Sequence, residues 1–328
     1  MIASYWLRLL LVCFASFFLI HGAMAVAVSA SQRRALQLAE QLAPGRAARL
    51  LLWLRMLPAG VATALVAAVC APSYVRFEPD VGVERVGLVC LGLAFLGVLL
   101  WIIALARGLR SAVRSIRFAR ACRRSGRVVR LSPEVSELLV VGARRPFLVQ
   151  CGILRPDFVI SERLLTNFSG AELAAALAHE RAHWLARDNL KRLALRFVPA
   201  IVPLSLRLEA IERGWAKFAE RAADDVVSAQ GPAAALGLAS ALVRLARMCS
   251  AIEESAPAPD VASSLRGSDD LSVRVERLLA PAPLAAKAGV PVWALCGAGG
   301  LLMAGCFTVL LSPTLLMGVH ELVERLLH

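Results

Sequence analysis

The stretch that decides the fold of the polar half of the chain lies at residues 169–197 and reads SGAELAAALAHERAHWLARDNLKRLALRF. Its first four residues, Ser169 to Glu172, have the S-x-x-E form of a helix capping box. Helix-forming residues then continue from Leu173 to about Phe197 without a glycine or a proline. The sequence therefore predicts one continuous helix here, and this helix carries the motif HERAH at 179–183.

Histidines four positions apart lie about 40° apart around a helix and one turn along it, so both imidazoles can reach one metal ion. Glu180 lies beside them, where a carboxylate can take a proton from a water that the metal activates. This is the HExxH pattern of zinc peptidases. The chain has only 5 histidines, which makes a chance match rare. We predict that His179 and His183 bind Zn²⁺ and that Glu180 is the catalytic base.

A third ligand is needed, and the remaining histidines are unsuitable because they lie in or near predicted spans or at the terminus. The metzincin extension HExxHxxGxxH is also absent, since Ala186 and Asn189 stand where it needs glycine and histidine. A carboxylate must therefore complete the site. The downstream acids are Asp188, Glu209, Glu212, Glu220, Asp224 and Asp225.

Glu220 is the best candidate among these acids. On a continuous helix Asp188 lies about 140° around the axis from His183 and points away from the metal. The segment ERAAD at 220–224 instead places Glu220 and Asp224 on one helix face. One of them can bind zinc while the other accepts the outer N–H of a ligand histidine. The alternative for such a pair is a solvated helix face.

With 58% hydrophobic and 19% charged residues, the chain is too apolar for an ordinary soluble domain. We predict a polytopic α-helical membrane protein with four transmembrane helices, because four uncharged segments reach the roughly 20 residues that a span needs. The first could instead be a cleaved signal peptide ending at Ala23-Met24-Ala25. A retained helix agrees better with the arginines that follow it. The uncharged segments are 9–32, 56–75, 86–106 and 288–311, and the second span is extended to 50–75 with Arg55 reaching toward the headgroups.

Arginines are concentrated in 31–49 and in 107–130, which predicts that both segments are cytoplasmic. The predicted organisation is three transmembrane helices in 1–106, a cytoplasmic zinc metallopeptidase domain in 107–287, the fourth helix, and an external tail at 312–328. Arg107 to Arg124 should form a basic helix near lipid headgroups. The net charge of +13 fits this arrangement, and no nucleic-acid partner is expected.

Short β-like runs between the third span and the HERAH helix predict a small sheet. A protein or peptide substrate is expected to add a strand at its edge near 147–151. A stretch rich in proline, serine and glycine at 252–270 predicts a linker. The strand-like runs are Arg127–Leu131, Glu137–Val141, Phe147–Cys151 and Asp157–Ile160.

Four features of the sequence together resemble those of the BlaR/MecR-type membrane metallopeptidases. They are HERAH with the following Trp184, Arg187, Asp188 and Asn189, the segment ERAAD at 220–224, the segment GILRP at 152–156, and the span pattern. Those are antirepressor signal transducers of the bacterial inner membrane. The resemblance covers nearly the whole chain. It implies a gluzincin-like domain with His179, His183 and Glu220 on zinc, Glu180 as base, Asp224 behind a ligand, and a cytoplasmic repressor as substrate.

One departure from that family is that only 312–328 follows the last span, where the β-lactam receptors carry a penicillin-binding sensor domain. An HtpX-like quality-control protease is the alternative within the class, although its spans usually separate HExxH from ExxAD. Here only the short apolar stretch 198–208 lies between them. A catalytically silent scaffold is the third possibility, but such proteins often lose the glutamate that Glu180 supplies.

Overall fold

The computed structural model describes residues 4–77, 86–129, 138–143, 145–152, 157–201, 204–250, 263–264 and 271–280, together with five isolated positions between 312 and 321. Within these ranges the chain is mainly helical and contains one small sheet. This confirms the predicted fold class. The predicted fourth span at 288–311 and most of the predicted tail lie outside the described residues.

The apolar N-terminal third forms long helices that contain the first three predicted spans. The second of them passes through a π-helical segment, Val66–Cys70, and the last continues without a break through the predicted basic helix. All are long and apolar enough to cross a membrane. They are α1 (Tyr5–Glu40), α2 (Pro44–Leu65) with α3 (Ala71–Phe77), and α4 (Leu88–Ser125).

A fourth helix, α9 (Pro232–Ser250), is also long and apolar enough to cross a membrane. Its buried side chains Leu238 and Leu242, however, share one hydrophobic core with Leu138 and Ile160 of the sheet. It also carries Arg244 and Arg247. We therefore assign its apolar face to the hydrophobic core beside the sheet.

The sheet has the strand order β1-β2-β4-β3-β5, in which β2 and β4 are parallel and the other pairs are antiparallel. Its first four strands lie where the sequence predicted them. The edge of β3 that we expected to receive substrate is paired with the chain's own backbone at 263–264, inside the predicted linker. The strands are β1 (Arg127–Val129), β2 (Leu138–Val141), β3 (Leu148–Cys151), β4 (Asp157–Ser161) and β5 (Ser263–Ser264).

Helices cover the sheet and carry the polar clusters of the domain. They are α5 (Glu162–Asn167), α6 (Gly170–Leu185), α7 (Asp188–Phe197), α8 (Leu204–Ser228), α9 and α10 (Leu271–Leu279). The predicted capping box is present at the start of α6, where Ser169 and Glu172 exchange hydrogen bonds. The prediction of one helix to Phe197 is wrong, because Arg187 adopts a left-handed conformation with φ 56° and separates α6 from α7.

Helix α4 approaches two other helices closely at glycines. A Cβ atom at Gly97 of α4 would lie 2.4 Å from the carbonyl oxygen of Phe14 in α1. A Cβ atom at Gly108 would lie 2.4 Å from the ring of Phe197 at the end of α7. The second contact joins α4 directly to α7.

We expect Gly97→Ala to lower the melting temperature of the detergent-solubilised protein by several degrees, because overpacking against a backbone atom typically costs about 1–3 kcal/mol. Gly92→Ala is the matched control on the same helix, since a Cβ atom there meets nothing within 4 Å. The control should melt at the same or a slightly higher temperature. Equal melting of both variants would contradict the close crossing of α1 and α4.

Candidate metal centre

Three side chains from two helices converge in a buried pocket. The Nε2 atoms of His179 and His183, both on α6, lie 3.2 Å apart. Glu220 on α8 places Oε2 3.4 Å from Nε2 of His179 and Oε1 3.5 Å from Nε2 of His183. Among the described residues this is the group of histidine, cysteine and acidic side chains whose arrangement could hold a metal ion.

These distances test whether the group fits zinc. Ligand atoms bound at about 2.0–2.1 Å in a tetrahedral site lie about 3.3–3.4 Å from one another. The two imidazole nitrogens are 3.2 Å apart, and the two oxygens of Glu220 lie 3.4 and 3.5 Å from one nitrogen each, so the three side chains surround one point at distances close to such edges. Two imidazole nitrogens and a carboxylate that face each other are also stabilised by positive charge between them, from protons or from a metal ion. The residues therefore fit a zinc ion.

Each histidine of the pair is held from behind by its own carboxylate. Nδ1 of His179 lies 3.1 Å from Oδ1 of Asp224, and Nδ1 of His183 lies 2.8 Å from Oδ2 of Asp188. The contact of His183 is a hydrogen bond, whereas Asp224 lies within ion-pair distance of His179, and a carboxylate in this position favours a proton on Nδ1 and leaves Nε2 free for the metal. Asp224 lies one helical turn after Glu220 on α8, next to His179.

The sequence-based prediction missed the contact between Asp188 and the outer nitrogen of His183, although Asp188 is not among the three side chains that could hold a metal. It assumed a continuous helix, whereas the left-handed turn at Arg187 lets α7 change direction and brings Asp188 back to His183. Asp188 also accepts a hydrogen bond from Nζ of Lys191 at 2.8 Å. Asn189 fixes the turn to the sheet by donating to the carbonyl oxygens of Gln150 and Gly152. No glycine or proline marks this break in the sequence.

Glu180 is fully buried beside the two histidines, and neither of its carboxylate oxygens has a hydrogen-bond partner among the described residues. Burial disfavours its charged form and raises the pKa of this carboxyl group to about 7. A carboxyl group that titrates near neutrality can both accept a proton and return it. These are the properties that a catalytic base needs.

The charges of the ligands favour a cation in the pocket. Burial opposes protonation of His183, but the carboxylate of Glu220 and the hydrogen bond to Asp188 outweigh it and raise the pKa of the imidazole to about 10. Burial likewise opposes ionisation of Glu220, yet both histidines hold the pKa of this carboxyl group well below its ordinary value. A divalent ion would replace protons here, so metal affinity should increase with pH.

Two arginines next to Glu220 were not found from the sequence. Nη2 of Arg192 on α7 lies 3.5 Å from Oε1 of Glu220. Arg274 on α10 lies 3.2 Å from Oε2 of Glu220 and makes two hydrogen bonds to Asp224. Nothing local distinguishes them from the many other arginines of the chain.

The other candidate acids lie elsewhere. Glu212 faces the membrane helix α2, where its Oε2 is 3.7 Å from Nε of Arg55. Asp225 accepts a hydrogen bond from Arg277, and Glu209 is exposed. None of the three joins the histidines.

A buried HExxH helix with a glutamate from a later helix is the donor arrangement expected of a zinc metallopeptidase. The sequence model of peptidase family M48 matches residues 151–252, which include HERAH and ERAAD. This part of the chain is therefore similar to a family of zinc metallopeptidases, and it is joined to helices apolar enough to span a membrane. No curated protein matches the chain. The match supports the peptidase class, and the narrower BlaR/MecR type is a separate proposal.

We predict that Glu220→Ala is the zinc-poor variant, because it removes a side chain that lies within 3.5 Å of both imidazole nitrogens. Glu209→Ala is the matched control, since it removes an exposed glutamate from the same helix. Metal content after purification and dialysis is the measurement. Retained zinc in Glu220→Ala, with loss in Glu209→Ala, would refute the assignment.

Proposed function

We propose that the chain is a membrane-embedded zinc endopeptidase in which His179, His183 and Glu220 hold Zn²⁺. The observation that carries this proposal is the convergence of these three side chains on one point, with a carboxylate behind each histidine. When bound, the ion supplies the Lewis acidity that polarises a peptide carbonyl and acidifies water. Glu180 takes the proton of that water and delivers it to the leaving amine.

The position of the membrane can be inferred from a layer of charged side chains. Arg55 of α2 approaches Glu212 of α8. Arg107 of α4 and Glu209 of α8 are also close enough to interact electrostatically with the guanidinium of Arg55. From this layer, α4 extends about 28 Å to its outer end and α2 with α3 about 33 Å, at 1.5 Å per residue. The hydrocarbon core of a bilayer is about 30 Å thick. We therefore place one of its boundaries at this charged layer.

The height of the metal centre above that boundary can be estimated from residue spacings along two helices. On α8, Glu220 lies eight residues beyond Glu212, which corresponds to about 12 Å. On α7, Phe197 packs on Gly108 next to the charged layer. Asp188 lies nine residues from Phe197 on the same helix, and this spacing corresponds to about 13 Å. The headgroup region is about 5–8 Å deep on each side. The catalytic site would then lie just above the headgroups.

This height favours substrates that are attached to the membrane. An extended chain rises about 3.3 Å per residue, so about four residues reach from the hydrocarbon boundary to the site. A peptide bond at that distance from a membrane anchor is held near the site at high effective concentration. The observation favours, as a second candidate function, an HtpX-like protease that removes damaged membrane proteins.

The narrower proposal from the resemblance is a signal transducer that cleaves a cytoplasmic repressor. It uses the same chemistry but requires the repressor to come to the membrane surface. In both cases we propose a bacterial inner-membrane location with the catalytic domain in the cytoplasm. The arginines of 31–49 and 107–130 support this orientation through the positive-inside rule. A silent scaffold is disfavoured because Glu180 is retained.

The test of the proposed chemistry is Glu180→Gln, which should keep the bound zinc and lose proteolysis, because an amide can bind in the same space but cannot take a proton. Wild-type and variant protein in liposomes would be incubated with β-casein, and the fragments and zinc content measured. Full activity of Glu180→Gln would rule out this base.

We further expect a membrane-anchored substrate to be cut faster than a free one. The same β-casein chain would be offered to wild-type proteoliposomes either free or fused to a single transmembrane helix. Cuts in the fusion should begin about four residues from the anchor. Equal rates for both forms would contradict the inferred height while leaving the peptidase proposal intact.

A further inference from the structure

Arg274 is a buried arginine, only 6% exposed, in the short helix α10. Its Nε lies 2.9 Å from Oδ2 of Asp224, and its Nη2 lies 2.7 Å from Oδ1 of the same carboxylate. The remaining nitrogen, Nη1, lies 3.2 Å from Oε2 of Glu220. One planar guanidinium therefore contacts two carboxylates that are one helical turn apart on α8.

The oxygen atoms that Arg274 contacts are the same ones that face His179. Oδ1 of Asp224 is shared between Nη2 of Arg274 and Nδ1 of His179. Oε2 of Glu220 is shared between Nη1 of Arg274 and Nε2 of His179. The guanidinium thus fixes the carboxylate behind this histidine together with the carboxylate beside its metal-binding nitrogen.

We propose that Arg274 is a positioning residue of the metal centre, which sets the orientation of Glu220 and Asp224 around His179. The proposal rests on the proposed function, because it assumes that these residues bind zinc. Arginine suits this role since its donors have a fixed planar arrangement, whereas lysine offers a single point charge. Arg274 also supplies positive charge next to two buried acids that would otherwise repel each other.

A second part of the proposal is that α10 completes the site as a separately docked element. Residues 151–252, which match the peptidase family, end before α10 and do not include Arg274. Helix α10 is anchored by Leu278, buried in the core, and by Leu271 and Val275, which pack against that core. Metal affinity should therefore depend on how firmly α10 is docked, and not on α6 and α8 alone.

The same helix provides a matched control. Arg277, three residues after Arg274, binds Asp225 and the carbonyl oxygen of Arg221. None of these partners contacts the two histidines. Arg277→Ala removes one arginine and two contacts between α10 and α8, so it reproduces the loss of docking contacts without touching the metal ligands.

The experiment uses full-length protein in detergent. Zinc affinity is measured by competition with a chelator, and the geometry of the site is read from the visible absorption bands of the Co²⁺-loaded protein. We expect Arg274→Ala to bind zinc about 10–100-fold more weakly, as is usual when a partner behind metal ligands is lost. Its cobalt bands should be altered. Arg274→Lys should be intermediate, and Arg277→Ala should match wild type in both measurements.

A double variant tests whether Arg274 acts through Asp224. The effects of Arg274→Ala and Asp224→Asn should be less than additive, because residues in one network are coupled. If Arg274→Ala does not fold, Arg274→Lys and Arg274→Gln provide the same comparison.

The proposal is overturned by wild-type zinc affinity in the Arg274 variants, by weakened affinity with unchanged cobalt bands, or by an equal loss in Arg277→Ala. Failure of the proposed function has a different signature, namely wild-type protein that binds no zinc.

Discussion

The placement of Glu220 between two imidazole nitrogens is the constraint on which the other features of the domain depend. Burying an ionised carboxylate costs several kcal/mol unless other charges and hydrogen bonds compensate. The protein supplies compensation on every side, from the two histidines, from Arg192 on α7 and from Arg274 on α10. The side chain of Glu220 on α8 therefore contacts charged or polar residues of three other helices, α6, α7 and α10. A metal ion would bind in a pocket whose charged side chains are already in place.

The parts of this arrangement that follow from local patterns could be predicted from the sequence. HERAH lies on a capped helix, the strand-like runs form strands, and the uncharged segments before residue 106 form long helices. The role of Asp188 could not be predicted, because a non-glycine residue in a left-handed conformation ends α6 without a sequence signal. Arg274 could not be predicted either, since its contact with Asp224 joins positions 50 residues apart.

The membrane helices and the catalytic domain form one connected structure. Helix α8 contributes Leu208, Ile211 and Trp215 to a core shared with α1 and α2, and five residues after Trp215 it contributes Glu220 to the metal centre. Helix α4 reaches α7 where Gly108 meets Phe197. Helices α7 and α8 are thus each fixed at one end by the long apolar helices, which holds the metal centre more rigidly than a flexible linker could.

The pairing of β5 with β3 changes what peptide recognition at this edge involves. A substrate strand that docks on β3 must first displace the backbone of 263–264, so capture is an exchange of one strand for another. The backbone hydrogen bonds lost and gained are of the same kind and nearly cancel. Preference for one peptide sequence over another must then come from side-chain contacts. A peptide whose side chains make few such contacts gains little binding free energy. In this way an occupied edge favours selectivity over affinity.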